Sequence, residues 1–404
     1  WAINAGSVHP DAVELLGDSY LYGLEKPDGT ARPIGAGGGF RRLAGRVLMH
    51  LHAERIGRVF TTAKPDADML EAAGYERDRA CMAPMQVGVG IRGGAEIAIS
   101  TLRLALEQQS TRAILSDDKV NGFNATSRVA IFEGLRRWFP DLIPSARLWY
   151  SRAGRLYTRS RNLGVQPLVD SEGVELYSLE GCTQGDALGP FLFAVGYHYS
   201  LLLTQAHHPD TLVIAYLDDT YYCDQPLEAL AALRTGSRIA PDQCGVHSNV
   251  PKQECFSFEG DLSVIPASVR GSPSAPPDPG TGYVGGRLPA IKVLGTHIGD
   301  LTFSSNKLVA RVRKRLAALT EVVKLRDTAH VRTALQVQLE INRFCANTQL
   351  IYFMRTMPLA ATTAAAAVHD ELVMDAALAM LNAGNATESE RALAAAQLRL
   401  PVRL

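Results

Sequence analysis

The sequence predicts an α+β fold. Short β-branched or apolar runs at 112–116, 211–217 and 220–223 read as strands, and helical stretches such as 127–138 and 189–206 lie between them. They follow no regular strand–helix–strand alternation of the kind that builds a parallel sheet. The 404 residues exceed what one compact core holds, so two or three subdomains are expected.

Four regions can be told apart. The first, to about residue 110, mixes helix and loop and carries glycine-rich stretches at 35–39 and 88–94. The second, about 111–258, holds the strand-like runs. Asp218 and Asp219 split the runs at 211–217 and 220–223, the pattern of a hairpin with polar residues at its tip. The third, 259–287, is rich in Ser, Pro and Gly and reads as a flexible insertion, not a domain boundary. A short strand and turn, Lys292-Val293-Leu294-Gly295, comes soon after it. From Asn306 onward the pattern is helix after helix, ending in a largely apolar stretch at 360–381.

Hydrophobic residues make up 47% of the chain and charged residues 20%, as in an ordinary globular protein. The longest apolar run, around 191–203, is broken by His198 and falls short of the roughly 18 residues of a membrane helix, so no membrane partner is expected. The 41 basic residues balance the 41 acidic ones, but a local patch matters more than the total. Between 306 and 332 stand eight basic residues (Lys307, Arg311, Arg313, Lys314, Arg315, Lys324, Arg326, Arg332) against two acidic ones, Glu321 and Asp327. The six cysteines form no CxxC pair and no His stands at metal-finger spacing, which argues against zinc and for reduced thiols in an intracellular protein. The chain begins at Trp1 with no charged-then-apolar leader and stops at Leu404. Both ends read as cut, with no targeting signal in view.

The chain contains two Asp-Asp pairs, Asp117-Asp118 and Asp218-Asp219, each after a strand-like run. Carboxylates gathered at one place repel, by roughly 4 kcal/mol per close pair at an effective dielectric of 20, so such a cluster calls for cations. Oxygen ligands without His or Cys favour magnesium. Two magnesium ions suit an in-line attack on a phosphate.

The residues around these pairs resemble a known family. Tyr216-Leu217-Asp218-Asp219 resembles the YxDD box of reverse transcriptases, and the run from Gln184 through Gly185, Asp186 and Ala187 to Pro190 resembles the QGDPLGP box of non-LTR (LINE-type) retrotransposon enzymes. Asp118-Lys119-Val120-Asn121-Gly122-Phe123-Asn124 is similar to their first carboxylate box, and Asn249-Val250-Pro251-Lys252-Gln253-Glu254 to the next box downstream. Val293-Leu294-Gly295-Thr296 resembles the primer-grip turn, and 26–42, from Lys26 through Arg32 to Arg41 and Arg42, resembles the fingers segment. The six boxes stand in family order over about residues 21–299. Ala187 replaces the usual Pro, and Lys119 stands where an apolar residue is common.

The resemblance implies a right-hand polymerase fold with an antiparallel palm sheet. Fingers are expected at 1–110 (with 125–180 shared between fingers and palm), the palm at 111–300 with an insertion at 259–287, and a mainly helical thumb with the start of a downstream region at 301–404. It implies RNA-directed DNA synthesis from an RNA template, a DNA primer and dNTPs, with two Mg2+ ions, replaceable by Mn2+, on Asp118, Asp218, Asp219 and the main-chain carbonyl of Lys119. Counting back from Asn121 puts the ligand at Asp118. Strand alternation agrees, since Ile114, Ser116 and Asp118 share a face and Asp117 points away, to solvent or as a helper. Lys26, Arg32, Phe123, Gln184, Gly185 and Lys252 are implied at the nucleotide, with Phe123 excluding a ribose 2′-hydroxyl. Arg41, Arg42, Leu294, Gly295, Arg311, Arg313, Lys314 and Arg315 are implied at nucleic acid. Asp186 is expected to cap a helix, and Tyr221 and Tyr222 to pack. An endonuclease or other domains on the flanks and a nuclear or cytoplasmic ribonucleoprotein setting complete the expectation. Two rivals stay open. One is a related RNA-dependent RNA polymerase or intron maturase, and Phe123 argues against the RNA polymerase; the other is an inactive nucleic-acid-binding relic, against which the three intact carboxylates argue.

Overall fold

The structure, a computed structural model, describes residues 8–9, 13, 17–25, 29, 31–160, 164–269, 288–324, 337, 340–346, 348–380 and 387–398. The chain forms two compact units, Trp1–Pro276 and Pro277–Leu404, so the division falls inside the stretch read as an insertion. The first part of that stretch is not a free loop. Leu262, Ile265 and Val269 are buried in the core of the first unit, and Asp261 caps a short 3-10 turn over Leu262–Val264.

Among the described residues the first unit has two sheets. Its strands in chain order are β1 (Ser19–Glu25), β2 (Ala31–Gly37), β3 (Met85–Gln86), β4 (Ala113–Asp117), β5 (Gly154–Ser160), β6 (Gly164–Pro167), β7 (Tyr177–Ser178), β8 (Leu212–Tyr216), β9 (Asp219–Asp224) and β10 (Glu254–Ser257). The central sheet runs β10-β4-β9-β8-β3. Its first four strands are antiparallel, while β3 joins β8 in parallel at the edge. β4 and β8 are apolar in successive residues and nearly all buried, as strands covered on both sides are. The helix Gly189–His207 is buried almost all round, as its uniformly apolar sequence requires, and packs against Arg128–Trp138 and Pro226–Cys244. Phe191 and Phe193 on it are each worth about 1.5–3 kcal/mol of burial. His198, on the same helix, lies between Phe60 and Trp138, and burial pushes its pKa down to about 3. It is neutral there and does not interrupt the helix.

The second sheet runs β2-β1-β5-β6, with β7 on β5. The glycine-rich first region was expected to hold only helix and loop, yet β1 and β2 pair antiparallel over their whole length. β2 contains three of the signals that usually argue against a strand, Pro33, Gly35 and Gly37, and its pairing comes from the partner strand and not from its own propensity.

In the second unit β11 (Ala290–Val293) and β12 (Thr296–Gly299) form a hairpin. The helix Leu301–Lys324 buries Leu308, Val312 and Leu316, spaced four apart on one stripe, against Phe353 of the helix Ile351–Thr356, the Met357 that follows it, and Ala361 and Ala365 of the helix Leu359–Met380. No helix of the described residues is long and apolar enough to cross a membrane.

Candidate active site

Asp118 and Asp218, a hundred residues apart in sequence, come near one another at one end of the central sheet. Tyr216 pairs with Asp219 across β8 and β9, so Leu217 and Asp218 form a two-residue turn. Asp117 pairs with Thr220 across β4 and β9, so Asp118 leaves the end of β4 beside that turn. A Cβ built on Gly122 would stand 3.3 Å from the Cβ of Asp218, which gives the carboxylate-bearing loops a glycine contact. Burial, and then the charge of Asp118, raise the pKa of Asp218, while Arg32 and Lys252 pull it down. Lys252 Nζ donates to Asp118 Oδ2 at 2.8 Å. Asp118, Asp218, Arg32 and Lys252 therefore share one electrostatic neighbourhood, with Asp219 at the first position of β9. Among the described residues no group of three or more His, Cys, Asp or Glu side chains stands ready to hold a metal ion, and the ammonium of Lys252 is the cation on Asp118.

Of the two alternatives for Asp117, solvent or helper, burial removes the first. Asp117 is 1% exposed and accepts from Ser248 Oγ at 2.8 Å and Gln253 Nε2 at 3.0 Å. It also pairs with the buried ammonium of Lys119. Burial alone would lower the Lys119 pKa, but Tyr197 and Asp117 outweigh it and the net direction is up. Removing either partner would strand a buried charge, at a cost of about 3–5 kcal/mol. Through Ser248 and Gln253, Asp117 also ties the end of β4 to the segment that carries Lys252. Lys119 thus has a side-chain role that its place in the carboxylate box did not signal.

The turn itself is held by a residue that the sequence did not single out. Leu217 has φ +58°, a conformation non-glycine residues rarely adopt. Gln86 on β3 accepts from Leu217 N at 2.8 Å and donates to Leu217 O at 3.2 Å. The one available signal was the second glycine stretch, since Gly88 sits where a Cβ would come within 2.8 Å of Leu217 N.

Phe123 is 8% exposed and stacks on Phe193 at 5.0 Å, so it is a core residue next to Gly122 and the turn. Gly185 has φ +108°, and a Cβ there would meet the Gly35 carbonyl at 2.8 Å. Gln184 O accepts from Gly35 N at 2.8 Å, which docks this box on β2 through backbone alone. Arg32 and Arg42 are exposed. Arg41 is corrected: it is 2% exposed and forms a buried ion pair with Asp186 at 2.6 Å, out of reach of a template phosphate. Asp186 also accepts from Leu188 N just before Gly189–His207, but it does not cap that helix: its N-cap is Leu188, with no side-chain cap. Tyr221 and Tyr222 are buried. Lys26 lies outside the described residues.

In the second unit Leu294 and Gly295 form the β11–β12 turn, with φ +46° and +88°. Arg311, expected at nucleic acid, instead donates to Gly295 O at 2.9 Å and lies over Phe353 at 4.9 Å. Arg313, Lys314 and Arg315 are exposed, and Arg315 also reaches Gln349 at 3.1 Å.

What the fold and this site define so far is a mixed α and β protein with acidic groups gathered at a sheet end. No family model matches the chain. Over 244 residues, 59% of its length, it is 30% identical to the retrotransposable element SLACS 132 kDa protein of Trypanosoma brucei gambiense. The chain spans 17% of that relative's length. Among solved structures it is similar to the telomerase of Candida albicans in complex with a TWJ fragment of telomeric RNA, at 11% identity and TM-score 0.44, covering 98% of this chain and 66% of that one. For apo telomerase of Candida tropicalis the values are 11%, 0.45, 91% and 63%. The resemblance carried by the boxes and the retrotransposable-element relative point the same way.

Proposed function

We propose that this chain is a reverse transcriptase polymerase core that extends a DNA primer on an RNA template. The observation that supports the reading is the placement of Asp118, leaving the end of β4 beside the Leu217-Asp218 turn between β8 and β9, where burial and the charge of Asp118 also raise the pKa of Asp218. A protein that desolvates one carboxylate and sets a second beside it loses stability unless a cation resides there. The donor set is oxygen-only and fits magnesium, with manganese as a substitute.

In this reading Asp118, Asp218 and Asp219, with the Lys119 carbonyl, would hold the two ions. Bound there, the ions would lower the pKa of the primer 3′-hydroxyl and offset charge on the departing pyrophosphate. Lys252, whose Nζ donates to Asp118, would act as a general acid toward the departing pyrophosphate. Arg32, whose charge already acts on Asp218, would counter the triphosphate. Phe123, stiffened by its stack on Phe193, would underlie the sugar and exclude a 2′-hydroxyl. Gly185 would let the backbone approach the nucleotide, with the neighbouring Gln184 held through its carbonyl to β2. Arg42, and in the second unit Arg313, Lys314 and Arg315, are the exposed cations for phosphate contacts, and the Leu294-Gly295 turn would meet the primer.

Primer extension with and without magnesium, on RNA and on DNA templates, tests the reading. Magnesium-dependent incorporation of dNTPs in preference to NTPs is expected, with Phe123→Val relaxing the sugar preference. Binding of template–primer with no extension under any divalent cation would sink it.

A further inference from the structure

Gln86 is 0% exposed and sits on the short strand β3, paired with Ala215, two residues before the turn. Its side chain reaches past that pairing to the turn. Oε1 accepts from Leu217 N at 2.8 Å and from Gly88 N at 3.1 Å, and Nε2 donates to Leu217 O at 3.2 Å. Two N–H groups on one side and a carbonyl on the other fix which end of the amide is oxygen. One side chain thus satisfies both polar atoms of Leu217, the residue at φ +58°. Holding the Leu217 carbonyl orients the peptide plane that joins Leu217 to Asp218, and that plane sets where the Cβ of Asp218 points. Gly88 completes the arrangement, because a Cβ there would meet both Leu217 N and Leu217 Cγ at 2.8 Å. Left-handed backbone at a non-glycine residue persists only where its surroundings over-determine it. Here the surroundings are a buried amide and a missing side chain.

We propose that Gln86 is a positioning residue for nucleotidyl transfer: it clamps the Leu217 backbone in its left-handed conformation and so aims Asp218 at the carboxylate cluster. The inference rests on the polymerase reading for its consequence, but the clamp itself can be judged separately. The hydrogen bonds of the Gln86 side chain go to the backbone of Leu217 and Gly88, not to the Asp218 carboxylate. The loss of Gln86 therefore acts on the rate of the chemical step and not on template–primer affinity.

The test compares the wild-type chain with Gln86→Met, which keeps the shape and drops all three hydrogen bonds, and Gln86→Glu, which keeps the acceptor and loses the donor. Amide hydrogen exchange at Leu217 and Gly88 is read alongside kcat, KM for dNTP and Kd for template–primer. Exchange at both amides should speed up at least tenfold in Gln86→Met while amides in the middle of β9 keep their protection. kcat should fall at least tenfold with KM and Kd within about twofold, and Gln86→Glu should fall between the two. Unchanged exchange in a folded Gln86→Met overturns the clamp. Faster exchange with unchanged kcat overturns the positioning role. A wild-type chain that extends no primer removes the polymerase reading and with it the catalytic consequence, while the exchange result still decides the clamp.

Discussion

Two hairpin turns, one in each unit, meet the same local problem in different ways. β8–β9 and β11–β12 both close through two residues, and in both the first is a leucine at positive φ, +58° at Leu217 and +46° at Leu294. Such a conformation costs a leucine roughly 1–2 kcal/mol. At the second hairpin the next residue is Gly295 at φ +88°, which gives the paired left-handed twist that short hairpins favour. The Tyr352 hydroxyl and Arg311 then hold the two turn carbonyls. At the first hairpin the next residue is Asp218, and no glycine within the turn relaxes it. The permissive glycine stands instead on the adjoining segment, at Gly88, and a buried glutamine amide supplies the turn's hydrogen bonds. Where a carboxylate must occupy the turn, tertiary contacts take over what turn chemistry supplies elsewhere.

The largest effect expected from this contrast is chemical. Asp218→Asn should lower primer extension on the order of 10³-fold or more while leaving duplex affinity unchanged. Retained extension would make the first turn as structural as the second. The same variant should be more stable than wild type at neutral pH without divalent cation. The sign follows from the raised pKa of Asp218: the folded state holds the proton more tightly, so ionised Asp218 destabilises it above that pKa, and the penalty vanishes as pH falls through it. Thermal melts of both proteins across pH, in chelator, check the crossover, and a gain that persisted in acid would contradict the cause.

Next in size, Gly88→Ala should cost about 1–3 kcal/mol, because the new Cβ meets backbone at Leu217 N. Gly295→Ala meets only the ends of Arg311 at 3.8 Å and beyond, so it should cost about 1 kcal/mol for its φ alone. Urea unfolding with a probe in each unit distinguishes them, and equal costs would erase the difference between the turns. In the second unit, neutralising Arg313 and Lys314 should flatten the salt dependence of duplex binding by a slope of about 2, whereas an unaltered slope would leave those exposed cations without a phosphate partner. The smallest effect is at Leu294. Asn tolerates left-handed backbone, so Leu294→Asn should stabilise the second unit by a few tenths of a kcal/mol. Leu217→Asn should not stabilise the first, because Leu217 packs on the core. Melting shifts in the same direction for both would refute that distinction.

Much of the central sheet was legible. The runs at 112–116, 211–217 and 220–223 became β4, β8 and β9 within a residue or two, because buried strands are written in successive apolar residues. The helix at 189–206 was legible for the same reason, and that at 127–138 from its single apolar face. β1, β2 and β5 to β7 were not, since their residues are largely exposed or glycine-rich and pair through partners distant in sequence. The pairing of Arg41 with Asp186 was hidden likewise: 145 residues separate them, and each looked like a surface or capping residue by itself.

By itself the sequence determined which residues could do chemistry here: two Asp pairs after strand-like runs, glycines beside them, and a basic stretch in a helical segment. Local composition and spacing suffice for that, because strand period and turn chemistry act over a few residues. Only the tertiary structure decided that Asp117 is buried with Lys119 while Asp118 reaches Lys252, and that Arg41 and Arg311 spend their charge inside the protein. It also decided that Gln86 holds the Leu217 turn. Burial and hydrogen-bond partnership depend on which distant segments meet, and a side chain's own identity does not carry that information.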